Sequence, residues 1–265
     1  MKTLRELQDL TGRRALLTGG AGHLGRAAAE ALVECGAQVA VLDLQEEACQ
    51  RRASELNALR PGAAWPLACD LLDEAATRAA AQAALARMGG LDILIHCAFY
   101  PGLPTDDPGR LETRTLAAWD RALRVNLTAA FVLVQECRTA LAAQSRGSVI
   151  LVSSIYGMGG AVMSLYEGTA MVNEPDYAAS KGGLIQLGRY LATTLAPRIR
   201  VNTIAPGGLA RGQPESFRQR YEARTPLGRM GREEDVKGAF AFLAGDQSAY
   251  VTGQNLAVDG GWSAW

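Results

Sequence analysis

Short apolar runs alternate with longer stretches of helical character along this 265-residue chain, and that alternation limits the fold more than any motif does. Residues 14–18, 38–43, 65–69, 93–97, 149–153 and 200–204 read as strands buried on both faces. Residues 24–35, 46–59, 74–88, 116–143, 177–195 and 233–243 read as helices, and a short strand near 255–258 closes the set. Strands joined through helices run parallel, because a crossover of that length carries the chain back to the end of the sheet it started from. The expected architecture is α/β: a single-domain, Rossmann-type doubly wound parallel sheet of about seven strands with helices on both faces. Right-handed crossovers then gather the strand C-termini along one edge, where ligands bind. No composition break marks a second domain, so 1–265 reads as one unit with a cofactor half at about 12–150 and a catalytic half at about 151–265. Two loops fall on the ligand edge: 101–110, rich in proline and glycine, and 156–176.

Composition removes several function classes. Lysine and arginine total 27 against 27 aspartate and glutamate, which leaves no electrostatic footprint for nucleic acid or an acidic membrane. Five scattered cysteines without a Cys-x-x-Cys read as buried free thiols in a reducing cytosol. His23 and His96 lack ligand spacing, so no metal is expected. The N-terminus is too charged for a signal peptide, and the uncharged run 147–166 carries glycines and serines that suit a strand and loop. A cytoplasmic protein with a small-molecule substrate is the expectation.

Gly19, Gly22 and Gly25 lie between the first strand and the first long helix. Glycine there lets backbone amides approach a pyrophosphate and aims a helix N-terminus at it. Asp43 ends the next strand, where a carboxylate can accept hydrogen bonds from an adenosine ribose. The same charge repels a 2′-phosphate, and Leu44 and Gln45 supply no cation, so NAD is favoured over NADP. Asp70 ends the third strand and could meet the adenine amino group or cap a helix.

Tyr177 and Lys181 share one helix face at i and i+4. An ammonium beside a phenol favours phenolate and is expected to lower the tyrosine pKa from about 10 toward neutrality. That suits proton exchange with an alcohol or ketone oxygen. Tyr166 lacks such a partner, because residue 170 is alanine.

Together with Thr18–Gly25, Asp70, Val125-Asn126-Leu127, Val152-Ser153-Ser154, Tyr177–Lys181, Val201-Asn202, Pro206-Gly207, Pro226–Arg229 and Thr252–Gly261, these residues make the chain resemble the short-chain dehydrogenase/reductases over nearly its whole length. The resemblance implies a Rossmann-type fold, a nicotinamide cofactor and often a homotetramer. It implies Tyr177 as the acid/base, Lys181 as the ribose ligand that tunes it, Ser154 as a donor to the substrate oxygen and Asn126 as holder of a connecting water. Ser153 is the adjacent rival to Ser154, and Asn126 could instead cap a helix break. Around the cofactor it places Gly19, Gly22, His23, Leu24, Asp43, Asp70, Leu71, Cys97, Ala98, Tyr177, Lys181, Pro206, Gly207 and Leu209. A looser resemblance, carried by 153–157 and 166–169, is to a subgroup linked to flagellin and surface-glycan modification, and it suggests a sugar-derived substrate.

Four places depart from the family pattern. His23 replaces the middle glycine of the turn, and either covers the pyrophosphate or makes a pH-sensitive contact. His96-Cys97-Ala98-Phe99 replaces Asn-Asn-Ala-Gly. Arg211 replaces a threonine and could meet an anionic substrate, a phosphate or solvent. The interval from Ser154 to Tyr177 is longer than usual, which makes Tyr156, Tyr166, Glu167 and Asn173 candidate substrate contacts. The closing Trp262 and Trp265 suit a subunit interface or a frayed tail. The sequence therefore favours an oxidoreductase that interconverts a secondary alcohol and a ketone on a polar molecule. A 3-oxoacyl thioester reductase and a noncatalytic dinucleotide sensor on the same fold are the alternatives.

Overall fold

The computed structural model describes residues 1–102, 110–144 and 146–265. Most of the loop expected at 101–110 lies outside the described residues. Seven strands form one parallel sheet: β1 (Arg14–Thr18), β2 (Gln38–Asp43), β3 (Ala64–Ala68), β4 (Ile93–His96), β5 (Gly147–Val152), β6 (Ile199–Pro206) and β7 (Asn255–Val258). Their order is β3-β2-β1-β4-β5-β6-β7. The order reverses direction between β1 and β4, where Thr18 pairs with His96 at the strand ends. A crevice opens there because the chain leaves β1 and β4 toward opposite faces.

Strand periodicity explains the two layers of core. Ala15 and Leu17 point into one cluster with α2 (His23–Glu34), α3 (Glu46–Leu59) and α9 (Glu233–Ala244). Leu16 points into the opposite cluster with α4 (Glu74–Met88), α6 (Ala129–Ala142) and α7 (Pro175–Leu195). Both faces are apolar, so the strands read as continuous hydrophobic runs rather than as alternating ones. Alanine lines much of the helix side, for example Ala27, Ala28, Ala31, Ala81 and Ala84, and lets the helices lie close to the sheet.

Two helices were not expected. The short α1 (Leu4–Gln8) is held by a reciprocal capping box between Thr3 and Glu6. The polar α8 (Glu215–Arg224) buries only Phe217 and Tyr221, one turn apart. Its outer face is laced by Arg218 to Glu215 and Glu222. A third, smaller cluster joins α8 to the long loop: Ile155, Leu165, Phe217, Tyr221, Met230 and Trp262.

The helix expected at 116–143 is interrupted. It runs as α5 (Leu116–Leu123), a wider π-helical turn over Arg124–Thr128, and then α6. A π turn holds one residue more than the helix needs and shifts backbone groups out of the regular ladder. Asn126 sits in that turn. The chain's close also divides: Trp262 is buried and stacks on Tyr221 at 4.3 Å between ring centres, while Trp265 is exposed. Among the described residues no helix is long and apolar enough to cross a membrane, and no cluster of metal-ligating side chains occurs.

Candidate active site

A cavity of about 780 Å³ opens at the β1–β4 crevice. Of the expected cofactor residues, Gly19, Gly22, His23, Leu24, Asp43, Asp70, Leu71, Cys97, Ala98, Tyr177 and Lys181 line it. Arg211 does too. Pro206, Gly207 and Leu209 do not. Gly207 and Leu209 line a smaller hollow beside Val258 and Gly260, and Pro206 ends β6.

The glycine turn is dictated by packing. A Cβ on Gly19 would stand 2.7 Å from the Ala98 nitrogen, and one on Gly25 would stand 2.0 Å from the Gly19 oxygen. Gly19 also takes a φ of 66°, a region that side chains disfavour. Gly22 precedes α2, so the free amides of the first helical turn face the cavity mouth. Asp43 fixes the turn from the side, accepting the Ala21 amide at 3.0 Å and the Leu44 amide at 2.8 Å. Asp70 accepts the Leu72 amide at 2.9 Å, and the cap of α4 is Asp73, which accepts from Ala76 at 3.0 Å. Asp70 is thus not the helix cap.

Ser154 follows β5 and is buried. Its hydroxyl accepts the Tyr156 amide at 3.2 Å and stands near enough to the Tyr177 phenol to favour its charged form. The rival Ser153 donates to the Lys181 carbonyl at 2.7 Å, pinning α7 to β5. Lys181 is buried, and its Nζ donates to the Val152 carbonyl at 2.8 Å. That nitrogen lies 5.7 Å from the centre of the Tyr177 ring.

The expectation that Lys181 draws the phenol toward neutrality needs correction. Burial raises the Tyr177 pKa above its usual value, with the Ser154 hydroxyl opposing it. The ammonium is engaged over the ring and at a backbone carbonyl, so desolvation dominates at the hydroxyl. Phe99 adds to that apolar cover, its ring edge-on to Tyr177 at 5.4 Å. Burial likewise pulls Lys181 down to about 8.

His96 takes a structural place that the sequence left open. Its Nδ1 lies 3.0 Å from the Thr18 hydroxyl and its Nε2 lies 3.2 Å from the Asn126 carbonyl. A neutral ring that donates from Nε2 and accepts at Nδ1 satisfies both. Burial, with the Lys181 charge adding to it, lowers His96 to about 3. Asn126 is fully buried: its Oδ1 accepts the Tyr100 amide at 2.8 Å and its Nδ2 donates to Ser180 at 3.0 Å. It stands behind the cavity wall rather than in it.

Tyr156 and Tyr166, expected at the substrate, do not line the cavity. Their hydroxyls bond each other at 2.8 Å. Tyr166 packs on Phe217, 5.3 Å between ring centres. Aromatic burial against α8 explains the placement. The part of the long loop that does line the cavity is Val172, Asn173 and Glu174. Asn173 was among the expected candidates; Val172 and Glu174 were not, since nothing in their sequence separates them from loop. Burial raises the Glu174 pKa, with Arg114 opposing.

A seven-stranded parallel sheet, a glycine turn at its switch point, and Tyr177 and Lys181 lining the same cavity with Ser154 just behind its wall define an oxidoreductase of alcohols and ketones. Comparison with known proteins gives the family. A family model described as enoyl-(acyl carrier protein) reductase matches residues 19–263. The 2,5-dichloro-2,5-cyclohexadiene-1,4-diol dehydrogenase LinX of Sphingobium indicum is 33% identical over 260 residues, covering 96% of this chain and 97% of that protein. The cis-4-hydroxycyclohexanecarboxylate dehydrogenase of Sinomonas cyclohexanicum is 35% identical over 257 residues, covering 95% and 97%. Among solved structures, a gluconate 5-dehydrogenase from Burkholderia cenocepacia in complex with NADP and tartrate matches with a TM-score of 0.86 and 29% identity, covering 99% of this chain and 100% of that one. The chain belongs to the short-chain dehydrogenase/reductase family, whose members bind a nicotinamide dinucleotide.

Proposed function

We propose that this protein is an NAD-dependent dehydrogenase or reductase of a secondary alcohol on a polar, ring-shaped or sugar-derived small molecule. Residues at about 12–150 form the cofactor half and about 151–265 the substrate and catalytic half, which also lends Lys181 to the cofactor. The observation that carries the reading is the pairing of Tyr177 with buried Lys181, 5.7 Å from ring centre to ammonium, in a cavity shared with the glycine turn. The cavity is large enough for a dinucleotide, and Gly19 and Gly25 let the turn pack tightly where a Cβ would collide with neighbouring backbone. The glycine-turn amides would hold the diphosphate, Asp43 the adenosine ribose and Lys181 the nicotinamide ribose. Asp43 supports NAD, because its carboxylate would face a 2′-phosphate with no cation following it in Leu44 or Gln45.

The cofactor, when bound, supplies or takes up a hydride at the substrate carbon. Tyr177 gives a proton to the developing alkoxide in reduction and takes it back in oxidation. Ser154 donates a second hydrogen bond to the same oxygen. Preorganised donors of this kind are each worth about 2–4 kcal/mol of barrier. Lys181 connects Tyr177 toward solvent protons, Asn126 braces the wall behind it, and Phe99 packs edge-on against the phenol ring. A homotetramer in the cytoplasm is the assembly and location we assign by family analogy.

The test is turnover at the nicotinamide absorbance band with NAD or NADP and a panel of cyclic diols, polyols and hydroxy acids. Tyr177→Phe should lower kcat by about 10²–10⁴-fold while the cofactor still binds. Full turnover in that variant would sink the assignment. A second reading, acyl-thioester reduction, draws on the description of the matching family model. NADPH-dependent turnover of a 3-oxoacyl thioester, with none on the alcohols, would favour it.

A further inference from the structure

Two of the chain's departures from its family, far apart in sequence, meet on one carboxylate oxygen. Glu233 Oε1 lies 3.6 Å from His23 Nδ1 and 3.5 Å from Arg211 Nε. His23 is the first residue of α2, and Glu233 is the first residue of α9. The two helices pack against the same sheet face, and the His23–Glu233 contact joins their first residues beside the cavity that His23 lines. We infer that Arg211, set in place by Glu233 beside His23, is a positioning cation for the diphosphate of the dinucleotide rather than a contact for an anionic substrate. The inference rests on the dinucleotide reading above and assigns one residue within it.

The backbone that carries Arg211 is fixed. Leu209 pairs with Gly231, and the Ala210 amide donates to the Gly231 carbonyl at 2.9 Å. Gln213 closes the turn, accepting the Arg211 amide at 2.7 Å and donating to the Leu209 carbonyl at 2.7 Å. The stem of the side chain is therefore anchored at the start of α9. Its head stays about a third exposed and lines the cavity.

Direction follows from the surroundings. Arg211 lines the cavity and meets, through the shared Glu233 oxygen, His23 at the head of α2, whose free amides face the cavity mouth. That places the guanidinium over the β1–β4 crevice, on the diphosphate side. The loop wall beside Tyr177 presents Glu174 instead, a carboxylate that would repel an anionic substrate. Helix-terminal amides alone bind phosphate as partial charges; a guanidinium adds a full charge and a planar pair of donors. A turn whose middle glycine has become His23 gains its anion grip from this added cation.

The experiment is calorimetry on the full chain with adenosine, ADP-ribose and NADH. Arg211→Gln should weaken ADP-ribose and NADH by about tenfold or more, the worth of one charge-assisted hydrogen bond. Adenosine affinity should not change. Arg211→Lys should recover part of the loss, since charge returns without the fork. With saturating NADH the substrate KM should stay at the wild-type value. An unchanged ADP-ribose affinity with a raised substrate KM would overturn the inference and place Arg211 at the substrate. A wild-type protein that binds none of these nucleotides would sink the dinucleotide reading itself. Wild-type binding that Arg211→Gln leaves intact sinks only the inference.

Discussion

Arg114 grips Asp176 through hydrogen bonds of 2.9 and 2.6 Å, one residue ahead of Tyr177 in the chain. Both side chains are buried, at 7% and 2% exposure. Asp176 lies in the first turn of α7, so the pair fixes where the helix that carries Tyr177 and Lys181 begins. Removing one partner of such a pair costs about 3–5 kcal/mol, because the other charge is left desolvated. Arg114→Met should therefore lower the urea midpoint markedly, and kcat should fall with it as the start of α7 loosens. Arg114→Met, Asp176→Asn together should recover stability. A double variant no more stable than the single one would remove the pair from this role.

The role proposed for Lys181 sets catalysis against stability. Its pKa falls from 10.5 to about 8 on burial, so the folded state holds its proton less firmly than the unfolded state does. The folded protein carries that penalty in full below pH 8, and it is relieved as pH rises from 8 toward 10.5. Lys181→Met should abolish turnover yet stabilise the protein at pH 7, by up to about 3 kcal/mol less the lost bond to Val152. Thermal melts at pH 7 and pH 10 check this: the gain should shrink at the higher pH. A variant less stable than wild type at pH 7 contradicts it.

His96 predicts an acid limit. Its folded pKa of about 3 lies below the ordinary 6.5. The unfolded chain then binds the extra proton between those values. Stability present above pH 6.5 is lost as pH falls toward 3, at up to about 1.4 kcal/mol per unit. His96→Gln should flatten that slope in melts between pH 7 and 5. An unchanged slope would mean that other groups set the limit.

Arg220 ties the long loop to α8, donating to the carbonyls of Ser164, Leu165 and Glu167 at 3.0, 3.0 and 2.7 Å. Those carbonyls lie in and just after the 3-10 turn Met163–Leu165. Arg220→Ala should raise the substrate KM and speed proteolysis within 160–170, while cofactor affinity holds. Unaltered proteolysis would show that the aromatic contacts suffice.

Much of this was legible because it is written in local pattern. Strand runs such as 14–18 and 38–43 are apolar on both faces, and the glycine turn and the Tyr177–Lys181 spacing are short-range signals. What escaped depended on long-range contact. The π turn at Asn126 leaves no mark in a helical periodicity, and α8 buries too little to show one. Tyr156 and Tyr166 looked like substrate contacts because polar aromatics on a ligand-edge loop carry no sign of what they will stack on. Phe217, 51 positions beyond Tyr166, decides that. The Tyr177 pKa was misjudged for the same reason: spacing reports a neighbouring charge, but not the burial that outweighs it.

The five-residue π turn separates two demands that a regular helix would merge. Deleting one residue from 124–128 would let α5 and α6 fuse into a plain α-helix, with their faces on the sheet preserved. The same deletion would draw Asn126 away from Tyr100, Ser180 and His96. Such a molecule would fold well and work badly. On the proposed function, the irregularity is what keeps Asn126 in reach of those three partners.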